Sequence, residues 1–245
     1  MPENNHAVPL QSRILYQSPA CIVVNKLKGE AVEGAVQGMV NLPQELAAIL
    51  PANTELIEAV HRLDVPVTGC ALFALTSDAL TFLNAAFSEE NSSIAKLYWA
   101  IVEKPSRPLS ESGEFTHWIE TNTQKNKSFA YDKEAPGRKK AVMRYRVIGE
   151  GTNYLFVEID LLSGRHHQIR AQFAAIGLHI KGDLKYGAKR SEKTGGIRLH
   201  ARSLAFPDPL NKSEKITVTA APPERDNLWE AFENSSHGGT ETRRE

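Results

Sequence analysis

Two runs of alternating apolar and polar residues, 140–148 and 154–162, flank Gly149-Glu150-Gly151. In the second run Leu155, Val157, Ile159 and Leu161 recur at every other position, the period of a strand with one buried face. With glycines between them, the two runs predict an antiparallel hairpin. Cys21-Ile22-Val23-Val24 reads as a short buried strand leading into a turn at Asn25-Lys26-Leu27-Lys28-Gly29. Residues 94–102 alternate too, with Lys96 and Tyr98 on one face and Leu97, Trp99 and Ile101 on the other. Late strands are predicted over 199–206 and 215–219. Helices are predicted over 43–50 with proline in the first turn, from a Ser77 cap through Leu80, Leu83 and Phe87, over 167–176 before Gly177, and around 227–232. Residues 121–138 are polar, with Asn, Gly and Pro, which predicts a long loop. Strands and helices intersperse without regular alternation, so the expected class is α+β, a mixed, largely antiparallel sheet flanked by helices.

A chain of 245 residues is long enough to bury a proper core. A polar, flexible lead-in over 1–12 and a polar, disordered tail over 234–245 are expected, leaving one domain over 13–233. Cys21 and Cys70 are the only cysteines, too few for a disulfide framework or a thiolate zinc site. No apolar run has the length of a membrane span and no basic-then-apolar leader opens the chain, so a cytoplasmic protein is expected. Nothing signals an obligate interface, and a monomer is the default expectation.

The formal net charge is zero, but the charge is unevenly spread. Residues 138–202 carry 14 Lys/Arg against five Asp/Glu, a net of +9, while each of the other three stretches of the chain is −3. A basic block of this size is the footprint of a surface that contacts a phosphate backbone, although a solvated basic face reads the same way.

Chemistry concentrates in two places. His61-Arg62-Leu63-Asp64-Val65-Pro66-Val67-Thr68-Gly69-Cys70 sets a basic pair and one carboxylate on a loop directly before an apolar strand. One carboxylate without a second close in sequence does not make an ordinary glycosidase. It suits chemistry at a glycosidic carbon in which no water is consumed: attack on that carbon, stabilisation of a cationic sugar, or removal of a ribose proton. Asp64 could equally cap its own turn or pair with Arg62. The second place is Ser163-Gly164-Arg165-His166-His167-Gln168-Ile169-Arg170, where a strand gives way to a helix and an anion could sit. Here Arg170 and His166, one turn apart, could face a phosphate. Adjacent histidines on a helix diverge by about 100° and rarely share a metal, so no metal is expected.

These segments resemble the RluA-type RNA pseudouridine synthases: H-R-L-D at 61–64, K-x-Y at 96–98, G-R-x-H-Q-I-R at 164–170, G-D-x-x-Y-G at 182–187 and L-H-A at 199–201, in the family's order. Val67-Thr68 stands where Thr-Ser is usual, and Leu27 replaces a common proline. The resemblance implies the pseudouridine synthase fold with a central catalytic cleft, base flipping on structured ribosomal or transfer RNA, and no cofactor. It implies Asp64 as the catalytic carboxylate, Arg165 as its partner, and Tyr98 stacking on the flipped base. His61, Arg62, His167, Gln168, Arg170 and Leu199 would contact substrate, with Arg62 filling the vacated space and Leu199 walling the uracil. The 182–187 turn would be structural. The rival from another class is a non-catalytic RNA-binding or RNA-chaperone protein that keeps the fold.

Overall fold

Short branched runs such as Cys21-Ile22-Val23-Val24 fold as strands because β-branched side chains pack well on a pleated surface. The computed structural model describes residues 8–34, 38–88, 93–105 and 108–237. Where one domain over 13–233 was expected, the chain divides into two compact units, Met1–Ile94 with Ser203–Ala221 and Ala95–Arg202 with Pro222–Glu245.

The first unit contains β1 (Ile14–Gln17), β2 (Cys21–Lys26), β3 (Glu30–Ala31), β4 (Val40–Asn41), α1 (Leu42–Ile49), β5 (Glu58–Ala59), β6 (Thr68–Ala74) and α2 (Ser77–Phe87). Strand β2 runs antiparallel to both β1 and β6, with Lys26 opposite Gly69. Val23, Leu72 and Ala74 pack against Ala79 and Leu83 of α2. The cap of α2 is Thr76, which accepts the Ala79 N–H at 3.2 Å; Ser77, the expected cap, instead donates its hydroxyl to Glu55 at 2.6 Å.

The second unit holds β7 (Ala95–Glu103), β8 (Ser112–Asn122), β9 (Lys127–Tyr131), β10 (Lys139–Glu150), β11 (Tyr154–Leu161) and α3 (Gln168–Ala175). Its strands lie in the order β7-β11-β10-β8-β9, each antiparallel to its neighbour. Strand β12 (Leu199–Pro207) starts in this unit and ends in the first, where it pairs with β13 (Lys215–Thr219). The last helix, α4 (Asn227–His237), sets Trp229 and Phe232 among Trp99, Ile101 and Phe156. Gly149 lets it approach: an added Cβ would stand 2.5 Å from the Ser235 hydroxyl. The mixed, largely antiparallel sheet with helices is the class expected. No helix among the described residues is long and apolar enough to cross a membrane.

Three expectations are corrected. Strands β8 and β9 occupy part of the predicted loop over 121–138; the inward positions of β9 are Ser128, whose hydroxyl is satisfied by Thr121 and His166, and Ala130, so no large apolar side chain marked its inner face. The lead-in is ordered from Leu10, where a 3-10 turn (Leu10–Arg13) buries both its end residues; residues 1–7 lie outside the described residues. Helix α4 carries the chain past the expected boundary at 233 as far as His237, and 238–245 lie outside the described residues.

Candidate active site

Residues 61–67 link β5 to β6, and their backbone is pinned from beneath. The Val67 N–H closes a turn on the Asp64 carbonyl at 2.9 Å. Lys26, fully buried, donates its ammonium to the carbonyls of Leu27, Val65 and Val67 at 2.9, 3.0 and 2.6 Å. Gly29 adds an N–H to Val65 at 2.9 Å. Gly69 follows at φ +114°, a conformation that favours glycine. Leu63 and Val67 point into the core, Asp64 is half-buried, and Arg62 is exposed.

Electrostatics tie Lys26 to the carboxylate. Burial lowers the Lys26 ammonium to about 7, while Glu30 and Asp64 push it back up. Glu30 is itself buried, clamped by both terminal nitrogens of Arg13 at 2.7 and 2.9 Å. It also accepts the Leu27 N–H at 2.7 Å. That bond accounts for the departure at this position, since a proline there has no N–H to give.

His61 and Arg62 differ from one another. His61 accepts the Leu72 N–H on Nε2 at 3.2 Å and stacks on Phe87 with ring centroids 5.2 Å apart, so it braces the loop. Arg62 pairs with Glu33 at 2.8 Å, both exposed, an attachment that costs little to break.

In the second unit the residues after β11 are held by Gln168. Its buried side chain accepts the Arg165 N–H at 3.0 Å and the Ser163 hydroxyl at 2.9 Å, and donates to the Val142 carbonyl at 3.1 Å. Arg165 is half-buried, donates Nε to the Lys140 carbonyl at 2.9 Å, and has its pKa lowered by burial. Lys96 lies close by, its ammonium 3.5 Å from where a Cβ on Gly164 would sit, and burial lowers its pKa as well.

Helix α3 opens one residue later than predicted, because His167 takes a left-handed conformation (φ 52°, ψ 28°). His166 therefore precedes the helix. Its ring stacks on His167 at 3.8 Å and its Nδ1 lies 2.9 Å from the Ser128 hydroxyl. His167 is buried with Nδ1 2.9 Å from the Tyr186 hydroxyl.

Arg170, read from sequence as phosphate-facing with His166, is 5% exposed and forms a two-pronged pair with Asp183 at 2.7 and 2.9 Å over the Tyr186 ring. That position is corrected: the guanidinium fastens α3 to the 182–187 turn. Part of the basic block is likewise internally neutralised. Arg198 pairs with Glu192 and with Asp226, and Lys181 with Glu192.

Tyr98 lies in β7 across from Ile159, and Leu199 opens β12; both are buried. His61, Arg62 and Asp64 thus belong to the first unit, and Tyr98, Arg165, His167, Gln168, Arg170 and Leu199 to the second. Sequence reasoning missed Lys26 as a positioning residue. The available signal was a lysine two residues after the apolar run Cys21-Ile22-Val23-Val24, a residue type almost never fully buried without a partner.

Comparison with known proteins gives these observations a context. A family model described as RNA pseudouridylate synthase matches residues 20–175. The tRNA pseudouridine synthase C of Pasteurella multocida is 31% identical over 224 residues, 84% of this chain and 90% of the relative. The ribosomal large subunit pseudouridine synthase C of Vibrio parahaemolyticus is 26% identical over 213 residues, 84% of this chain; the matched part is 65% of that relative's length. Among solved structures, human RNA pseudouridylate synthase domain containing 4 superposes with a TM-score of 0.70 at 21% identity, covering 93% of this chain and 94% of that one. At that identity the likeness speaks for the fold.

Proposed function

The chain belongs to the RNA pseudouridylate synthase family, and on that premise we propose that it isomerises a uridine of structured ribosomal or transfer RNA with Asp64 as its reacting carboxylate. The observation that carries the assignment of Asp64 is the way its loop is held. A carboxylate that must meet a sugar carbon needs a fixed backbone, and two carbonyl bonds from one buried lysine, to Val65 and Val67, help supply it.

In the proposed reaction the target uridine leaves its stack before the glycosidic bond is reached. Asp64 promotes cleavage of the N1–C1′ bond. The freed ring turns and bonds C1′ through C5; the proton lost from C5 is balanced by one gained at N1. No redox step occurs. Tyr98 and Leu199 keep the ring from escaping, Arg165 acts as the partner of the carboxylate, and Arg62 gives up Glu33 to engage the vacated space or a phosphate. Support for Arg62 comes from its exposure and its weak surface pair. The roles proposed for Gln168, His167 and His61 are positional: they hold the loops that carry Arg165 and Asp64. The working form is proposed to be a cytoplasmic monomer.

Pseudouridine mapping by carbodiimide labelling and primer extension tests the proposal, on total RNA from cells with and without the gene. A site that vanishes on deletion and returns with the wild type but not with Asp64→Ala establishes activity and substrate together. Return of the site with Asp64→Ala overturns the role of the carboxylate. Loss of no site, with RNA still bound, overturns the isomerase reading in favour of a non-catalytic RNA binder.

A further inference from the structure

Strand β9 ends the sheet order of the second unit, beside β8 and then β10. Side chains of these strands alternate between two faces. On one face Phe115, His117, Ala141 and Met143 point toward α3, where Phe173 meets Phe115 edge-on and Gln172 bonds His117 at 3.0 Å. The opposite face is covered by α4 at its far end, over Trp99, Ile101 and Phe156.

Over β8 and β9 that opposite face carries Trp118, Phe129 and Tyr131. Register sets Lys140, Trp118 and Tyr131 in one row across three strands, with Phe129 in the next row opposite Glu120. Trp118 and Tyr131 are half-buried, Lys140 is exposed, and Phe129 is 38% exposed. Cations attend the rings: the Arg138 guanidinium lies 3.5 Å from the Tyr131 centroid, and the Lys127 ammonium, bonded to the Lys185 carbonyl at 2.6 Å and 4.9 Å from the Tyr186 centroid, lies 5.6 Å from that of Phe129. Arg138 also reaches Glu120, at 3.4 Å. Three rings on one face, interleaved with three cations, do not serve a core.

The geometry points to a platform for unpaired RNA, with bases stacking on Phe129 and Trp118 while Arg138, itself stacked on Tyr131, and Lys140 meet phosphates. Single-stranded nucleic acid is held by this combination of aromatic faces and a positive track, with little demand on sequence. The inference rests on the reading that this chain works on RNA. It names a surface apart from the reacting nucleotide, because Tyr98 and its partner Ile159 belong to the face that Tyr145 shares, the one turned toward α3. The platform therefore grips RNA flanking the target. It is joined to the candidate site through Lys140, whose carbonyl accepts the Arg165 Nε–H.

Tryptophan fluorescence tests this directly. Trp99 and Trp229 are buried, so Trp118 is the one of the three tryptophans open to quenching by a stacked base. A short oligouridylate should quench emission of the full-length protein, and Trp118→Phe should remove the quench. Phe129→Ala should weaken oligouridylate binding roughly tenfold, within the range for losing one stacked base. It should raise KM for the modified RNA while leaving kcat unchanged. The double variant Arg138→Ala, Lys140→Ala should flatten the salt dependence of binding by about 1.4 in log–log slope. Thermal melts of each variant check that the fold is intact. No quench in the wild type, or unchanged affinity in Phe129→Ala, overturns the platform. If RNA is nonetheless modified in an Asp64-dependent way, only the platform falls. If quenching and its loss occur but no pseudouridine forms, only the isomerase reading falls.

Discussion

The buried Lys26 ammonium sits 2.6 Å from the Val67 carbonyl, three residues beyond Asp64. It is lowered to about 7 by burial, whereas lysine in an unfolded chain titrates near 10.4. Between those values the unfolded state binds the extra proton, so this group makes stability rise with pH, by at most about 1.4 kcal/mol per unit. Below about 7 both states are protonated and the burial penalty is present in full. Urea unfolding of wild type and Lys26→Met across this window should show the wild type gaining on the variant as pH rises. Parallel profiles would mean that Lys26 keeps its ordinary affinity for a proton.

Leu27 offers a test in which the family's usual residue should be the worse one. Leu27→Pro deletes the N–H that Glu30 accepts at 2.7 Å, leaving a buried carboxylate short of a donor. The expected loss is about 1–3 kcal/mol of stability in denaturant titration. A gain would show that the carboxylate finds another donor at no cost.

Arg170 separates a buried structural pair from a phosphate contact. Arg170→Met leaves Asp183 charged and enclosed, and breaking such a pair typically costs about 3–5 kcal/mol. The salt dependence of RNA binding should stay as in the wild type at temperatures where the variant is folded. A shallower salt slope with unchanged stability would return Arg170 to the surface role that the sequence suggested.

Arg165→Met should lower kcat by about a hundredfold or more, the scale of removing one electrostatic stabiliser, with RNA affinity little changed. Single-turnover kinetics and filter binding on the same RNA read the two effects separately. Affinity falling in proportion would make Arg165 a phosphate clamp.

Phe232→Ala should cost about 3–5 kcal/mol, since the ring is fully buried among Trp99, Phe156 and Trp229. Gly149→Ala should loosen α4 by another route, because its new methyl meets Ser235. Near-ultraviolet circular dichroism, which reports tryptophan packing, should change in both.

Much of the fold was legible because alternation at 140–162 and the helix over 43–50 are patterns that burial imposes directly. Strand β9 was illegible because its inward positions are an alanine and a serine, the latter stabilised by hydrogen bonds that hydropathy does not register. At the site, motif order fixed which residues to examine but not which way they face. Arg170 and Gln168 stand in the same motif as Arg165, yet both point inward, toward Asp183 and Val142. Asp183 and Val142 lie 13 and 26 residues away, so helical spacing around Arg170 and Gln168 had no bearing on their orientation. Lys26 was overlooked for a related reason: its three acceptors are backbone carbonyls, which every residue has and no sequence pattern marks.

Strand β12 leaves the second unit at Arg202 and enters the first at Ser203. Leu204, Phe206, Val218 and Ala220 then complete the core begun by Val23, Leu72 and Leu83. On the ribosome, the first unit must wait with that core half-lined while the whole of residues 95–202 is synthesised. Its exposed apolar strands are a window for misassociation that closes only when the chain has grown past Ala220. A nascent chain stalled before Ser203 should be held by chaperones and cut readily by protease, and the released full-length chain should not.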